Sequence, residues 1–196
     1  MNLQEKSLAV RKVFDELDSD VSLYLGKSGL TCYAGCGKCC MNPQVAATVL
    51  EFIPLAFDIY QKGNAEKAMD MLEQTSEQEY CMQFLKTAQD KESGVCNTYI
   101  YRGLICRLFG VSARRNKYGN KEMITCKKLK EGKQAIYQAT TAGINMDMEV
   151  PMANDFYAKL SAIDINLSAE TFPINQAIKK ALEKVMMYKY YYENQE

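Results

Sequence analysis

Cys32-Tyr33-Ala34-Gly35-Cys36-Gly37-Lys38-Cys39-Cys40 places four of the chain's eight cysteines within nine residues, in a protein of 196 residues that contains no histidine. Thiols without imidazole make a soft, all-sulfur donor set, which suits zinc, ferrous iron or an iron–sulfur cluster. Two residues separate Cys36 from Cys39, the spacing with which a tight turn aims two sulfurs at one ion. Gly35 and Gly37 give the backbone the freedom such a turn needs. Lys38 adds positive charge, and a helix expected directly after Cys40 would set its positive dipole end beside Cys39 and Cys40; both favour thiolates. Adjacent Cys39 and Cys40 do not easily reach one small ion together, which leaves one of them open to a second metal or to redox chemistry. A loop of this kind has little regular packing of its own. The fold it predicts is a loop-rich centre cross-linked by metal, with helices on either side.

Working outward, residues 2–25 read as the clearest helix. Leu3, Val10, Phe14, Leu17, Val21 and Tyr24 follow a four-three spacing that only Ser7 interrupts. The stripe faces a core, with a short dimerising coiled coil as the alternative. Gly26 and Gly29 end this helix. Beyond the cysteines, Asn42 is a good N-cap and Pro43 suits the first helical position. The helix so begun buries Val45, Val49, Phe52, Ala56 and Tyr60, with a kink or split at Pro54. A short helix is expected near 65–73. Ser76 and Glu79 read as a capping box that opens a helix burying Tyr80, Phe84, Leu85 and Ala88.

From 93 to 125 glycines recur, and the reading is loops with two short strands near 98–101 and 121–125. Helices return at 127–140 and 152–162. The last follows Thr171, with Pro173 in its first turn and Ile174, Ile178, Ala181, Leu182 and Val185 facing inward. The fold class is therefore mainly α: a helical domain wrapped around a loop-rich cysteine centre with a few short strands. Three stretches make up this single domain: an N-terminal helix at 1–29, a cysteine core at 30–126, and helices at 127–196 that pack on the core.

Hydrophobic residues make up 47% of the chain and charged residues 24%, enough for a real core. Lys+Arg and Asp+Glu both number 24, a balance that points neither to a nucleic-acid partner nor to an anionic membrane. Arg114, Arg115 and Lys117 read as a small solvated basic loop. The first residues lack the apolar region of a signal peptide, and no apolar run approaches the roughly 20 residues of a membrane span. The expected location is the cytoplasm, where thiols stay reduced, so metal or redox chemistry is favoured over a framework of disulfides.

Cys36-Gly37-Lys38-Cys39 is similar to a thioredoxin-type redox pair, but no buried strand precedes it and Cys32 and Cys40 crowd it. Cys32, Cys36 and Cys39 match the spacing with which radical-SAM enzymes hold a four-iron cluster. The chain is too short and too poor in strands for that enzyme barrel.

Further along stands Cys96-Asn97-Thr98-Tyr99-Ile100-Tyr101-Arg102-Gly103-Leu104-Ile105-Cys106-Arg107-Leu108-Phe109. This stretch resembles the C-x-I/V-Y-x-x-R-P-x-x-C-R-x-F signature of the YkgJ-like cysteine-cluster family of zinc- or iron-chelating proteins. Cys96, Tyr99, Arg102, Cys106, Arg107 and Phe109 match in register. The family's other mark, C-x-x-x-C-x-x-C-C, is matched by Cys32, Cys36, Cys39 and Cys40. The resemblance covers roughly residues 30–126, and it departs at Gly103, where the family has proline.

The resemblance implies a metal centre of zinc or iron, an iron–sulfur cluster included, held by Cys32, Cys36, Cys39, Cys40, Cys96 and Cys106. Cys81 and Cys126 are weaker candidates. Cys81 resembles a family cysteine before a Phe-Leu pair, here Phe84-Leu85, at a spacing one residue different; an inert thiol on the apolar face of a helix is the other reading. Arg102 and Arg107 would offset the thiolates' surplus negative charge, or would be ordinary surface charges. Tyr99 either donates to a sulfur or packs.

Related domains fused to flagellin lysine methylases imply accessory roles in methyl transfer or redox chemistry. The chain has no glycine motif for S-adenosylmethionine, and no histidine or carboxylate dyad for hydrolysis. Metal binding is the function expected, with the metal ion as partner. A redox or methyl-transfer-associated enzyme built on an iron–sulfur centre, and a zinc-stapled protein-interaction module, are the alternatives. No catalytic residue is assigned.

Overall fold

Helices dominate the described residues, 1–76, 79–87 and 93–193, of this computed structural model. In chain order they are α1 Leu3–Ser28, β1 Ala46–Thr48, α2 Ile53–Gln61, α3 Ala65–Gln74, β2 Phe84–Lys86, β3 Gly94–Cys96 and α4 Leu104–Leu108. Then come β4 Ala113–Arg115, β5 Lys121–Met123, α5 Lys127–Gly132, α6 Gln134–Ile144, α7 Ala153–Ile163, α8 Ile165–Ser168, β6 Thr171–Pro173 and α9 Ile174–Glu193. The strands pair antiparallel in twos: β1 with β6, β2 with β3, β4 with β5. The expectation of a mainly helical chain with a few short strands holds. No helix among the described residues is long and apolar enough to cross a membrane.

The chain divides into two units. The first comprises Met1–Lys12, Gly35–Gly103 and Leu160–Glu196; the second comprises Val13–Ala34 and Leu104–Lys159.

In the first unit α9 lies along α2 and α3. Its buried stripe is the one the sequence predicts: Ile174, Ile178, Ala181, Leu182 and Val185 are all essentially closed to solvent. From α2, Ile53, Leu55, Ala56, Phe57 and Ile59 are buried as well. Each large apolar side chain so covered contributes about 1.5–3 kcal/mol, so these helices are held by ordinary packing rather than by sulfur. Just before α2, Glu51 is fully buried; its Oε1 accepts from the Thr48 backbone N–H at 2.9 Å and from the Thr48 hydroxyl at 3.1 Å. A buried carboxylate is tolerable only when hydrogen-bonded in this way.

In the second unit Tyr24, Leu30, Ala113, Met123, Leu129 and Ile144 form a core, and the Tyr24 hydroxyl donates to Met123 Sδ at 3.5 Å. Gly29 at φ 62° ends α1, its N–H reaching the Leu25 carbonyl at 3.0 Å.

Four local expectations are corrected. No helix starts at Asn42. Its side chain accepts from Gln44 N–H at 3.1 Å, which folds the Asn-Pro step into a turn, and β1 follows. The helix begins only at Ile53, so Pro54 falls in its first turn and does not kink it. Second, Ser76 N–H does donate to Glu79 Oε1 at 3.1 Å, half of the capping box, yet Phe84 and Leu85 lie in β2 and not in a helix. Tyr80 and Leu85 are exposed, and Ala88 lies outside the described residues. Third, the strand expected near 98–101 is a 3-10 turn at Tyr99–Tyr101; the strand stands just before it, at Gly94–Cys96. Fourth, the helix expected at 127–140 divides at Lys133 into α5 and α6.

Candidate metal centre

Cys36, Cys39, Cys40, Cys81 and Cys96 all belong to the first unit, where three backbone segments meet. Gly94 N–H donates to the Gly35 carbonyl at 3.0 Å, and Cys36 bridges to Ser93. Cys81 N–H donates to the Cys40 carbonyl at 3.1 Å. In the β2–β3 ladder Cys96 stands opposite Phe84. Gly35, at φ 68°, adopts the left-handed backbone that opens the cysteine turn. Cys40 N–H and Met41 N–H then close on the Gly37 carbonyl at 2.9 and 3.1 Å.

The Phe84 ring is wedged among these segments. A Cβ added at Gly37 or at Gly94 would stand 2.2 Å from it, far inside contact distance. At Gly94 the Leu85 carbonyl also stands 2.6 Å from that position, so glycine is required there, whereas at Gly37 the ring alone stands in the way. All eight cysteines are thiols and not disulfides.

The electrostatics separate the thiols. Cys39 is lowered to about 6 from 9.0, first by the Cys40 side chain, which donates to its sulfur. The backbone N–H groups of Cys40 and Cys39 and the nearby Arg102 guanidinium act in the same direction, against the effect of burial. The helix whose dipole was expected to favour thiolates at Cys39 and Cys40 does not form; the lowering at Cys39 comes from these hydrogen bonds and from Arg102. Cys81 is raised to about 11, chiefly by burial, with the nearby Cys96 and Cys39 adding negative charge that opposes its ionisation. Cys81 is thus buried as expected, though from a turn before β2 and not from a helix.

Arg102 lies 3.8 Å from the centre of the Tyr99 ring, which is largely exposed. Tyr99 therefore does not pack into a core; its ring lies against the arginine. Gly103, where the resembled family has proline, sits with its Cβ position 2.8 Å from the Phe52 ring and 3.2 Å from Glu51 Oε2. No Cβ fits there unless Phe52 moves. Sequence reasoning missed Glu51, and the Thr48-x-x-Glu51 spacing, a capping box, was the signal that marks it.

Cys32, Cys106 and Cys126 belong to the second unit. Cys32 is exposed and Cys106 partly buried on α4. The Cys126 sulfur accepts from Leu129 N–H at 3.4 Å, capping α5. Arg107, buried, pairs with Asp18 and lies over the Phe14 ring at 4.5 Å. Its charge is thus answered by a carboxylate within its own unit.

By chemistry the first unit's donors fit a soft divalent ion: sulfur throughout, one of them a thiolate at neutral pH, with a guanidinium beside it. They are near one another without being assembled. Among the described residues, no three Cys, Asp or Glu side chains form a group that could hold a metal ion as it stands. No protein-family model, no curated protein and no solved structure matches the chain.

Proposed function

We propose that this protein binds zinc or iron, an iron–sulfur cluster included, through clustered cysteine thiolates, in the manner of the YkgJ-like family it resembles. The observation that carries the reading is the electrostatic cluster of Cys39, Cys40, Cys81 and Cys96, in which Cys39 is a thiolate near neutrality and Arg102 stands behind it. Cys36, Cys39 and Cys96 hold the ion, with Cys81 as a further donor, and Cys40, the neighbour of Cys39, is left to a second metal or to redox chemistry. The bound metal supplies a cross-link between loops that have little packing of their own, and proton release from the thiols accompanies its uptake. The role of the chain's own residues is to keep one sulfur deprotonated and to offset the surplus negative charge.

Metal and acid-labile sulfide content, with an absorption spectrum, on protein purified without oxygen tests this. The expected result is about one or two equivalents of zinc or iron, falling by at least half in Cys39→Ser and in Cys96→Ser. Full loading in both variants would overturn the reading. Iron with sulfide and a brown colour identifies a cluster; colourless protein with zinc identifies a zinc site and favours a structural role.

A further inference from the structure

The overall charge balance of the chain hides a local excess. Residues 114–133 carry eight lysines and arginines against Glu122 and Glu131, and the rest of the chain carries the compensating acidic surplus. Four of the eight, Arg114, Arg115, Lys117 and Lys121, stand on the β4–β5 hairpin of the second unit, and the other four on and just after α5. Its register places Arg114 opposite Glu122, an opposite-charge pair at 3.6 Å, but Arg115 opposite Lys121. Like charges directly across an antiparallel pair are destabilising. The cost is met in a hairpin that is otherwise carefully built. Asn116 Oδ1 accepts from Tyr118 N–H at 2.9 Å and Asn120 N–H at 3.1 Å, and Asn116 N–H reaches the Asn120 carbonyl at 2.9 Å. Gly119 takes φ 83° at the turn, and Arg115 donates to its carbonyl at 3.0 Å. The hydrogen-bonded loop leaves Tyr118 75% exposed, with the Lys117 ammonium 4.9 Å from its ring centre.

An unfavourable cation pair is relieved by an anion shared between the two charges. An exposed ring on a pinned loop beside it is a stacking platform. Cations flanking one exposed ring are what a single-stranded nucleic acid presents partners for, phosphates for the cations and a base for the ring. A lipid surface would instead call for a broad apolar face beside the cations, and the loop offers Asn116, Lys117 and Asn120 around its one aromatic ring. We propose that the β4–β5 hairpin binds single-stranded nucleic acid, with Arg115 and Lys121 sharing a phosphate and Tyr118 stacking on a base.

Fluorescence anisotropy of a labelled twelve-nucleotide thymidine strand, titrated with the full-length protein at about 50 mM salt and upward, tests it. Binding in the micromolar range is expected. Tyr118→Ala weakens it about tenfold with an unchanged salt slope, since a stacked base is worth about 1–3 kcal/mol. Arg115→Ser with Lys121→Ser lowers the slope of log affinity against log salt by about 0.7, the value for the one phosphate the two charges share. Lys67→Ser with Lys184→Ser, two exposed lysines of the first unit, leaves affinity unchanged. A uridine strand of the same length identifies RNA or DNA as the preferred source. Absence of binding at about 50 mM salt, an unaltered affinity in Tyr118→Ala, an equal loss in the Lys67/Lys184 control, or tighter binding to phosphatidylserine vesicles or polyglutamate would each overturn the proposal. Unchanged circular dichroism in every variant certifies that the fold is intact.

Discussion

Cys39 and Cys81 carry the same side chain and are set on opposite sides of neutrality by their surroundings. Cys39 receives hydrogen bonds to its sulfur and feels a guanidinium; Cys81 is buried beside negative charge. For Cys39 the folded state holds fewer protons than the unfolded one between about 6 and 9.0. Its contribution to stability therefore grows as pH rises through that window and is lost as pH falls through about 6. Cys81 acts in the other sense: the unfolded chain ionises from 9.0 upward while the folded chain waits until about 11, so stability falls with rising pH across that interval. In metal-free protein, iodoacetamide labelling followed by mass spectrometry should show Cys39 reacting at half its limiting rate near pH 6. Cys81 should stay unlabelled until strongly alkaline pH. Equal labelling of the two at pH 7 would contradict this assignment. The cysteine turn and Arg102 were legible in the sequence because spacing and residue type alone carry them. Arg107 was not, because its partner Asp18 lies 89 residues away and no local pattern announces the pair.

At the scale of elements, what could be read was what depends on neighbours in sequence. α1 and α9 repeat their apolar residues with helical period, and the buried positions fall where that period puts them. The β-ladders are different. Ala46–Thr48 pairs with Thr171–Pro173, a partner far along the chain, and that pairing overrode a good helix-start signal at Asn42-Pro43. Phe84 and Leu85 read as part of a helical face only until their pairing with Val95 and Cys96 is known. The Phe84 ring makes that hairpin testable. Gly94→Ala puts a methyl group 2.2 Å from the ring and 2.6 Å from the Leu85 carbonyl, which cannot give way. A loss of about 1–3 kcal/mol is expected in denaturant unfolding. Gly37→Ala collides with the ring alone, so adding Phe84→Leu should recover part of its loss, and a double-mutant cycle measures the coupling. Strict additivity in that cycle would mean that the ring is not the obstacle.

For the molecule as a whole, the sequence pointed to helices around a cysteine centre, and the described residues are indeed mainly helical. It did not reveal that the cysteines are shared between two units, because the units interleave: the chain enters the second at Val13, leaves it at Ala34 and returns at Leu104. Helical packing in the first unit needs no metal, whereas the segments bearing Cys36, Cys81 and Cys96 rest on few buried apolar side chains. Chelation of metal-loaded protein should therefore speed hydrogen exchange at residues 36–41, 81–86 and 93–96 while α2 and α9 keep their protection. Identical exchange with and without chelator would remove the metal's structural role and leave binding alone.

Glycine at position 103 has a consequence that reaches the sulfurs. A proline there would fix the chain's direction after Arg102 by ring stereochemistry. With glycine, direction is imposed from outside, by the Phe52 ring and the Glu51 carboxylate pressed against the bare α-carbon. The aim of the guanidinium at Cys39 is thus inherited from a side chain on a different segment. Trimming Phe52 releases that constraint, so a substitution twelve residues past the last cysteine of the CxxxCxxCC cluster is felt as a change in thiol acidity.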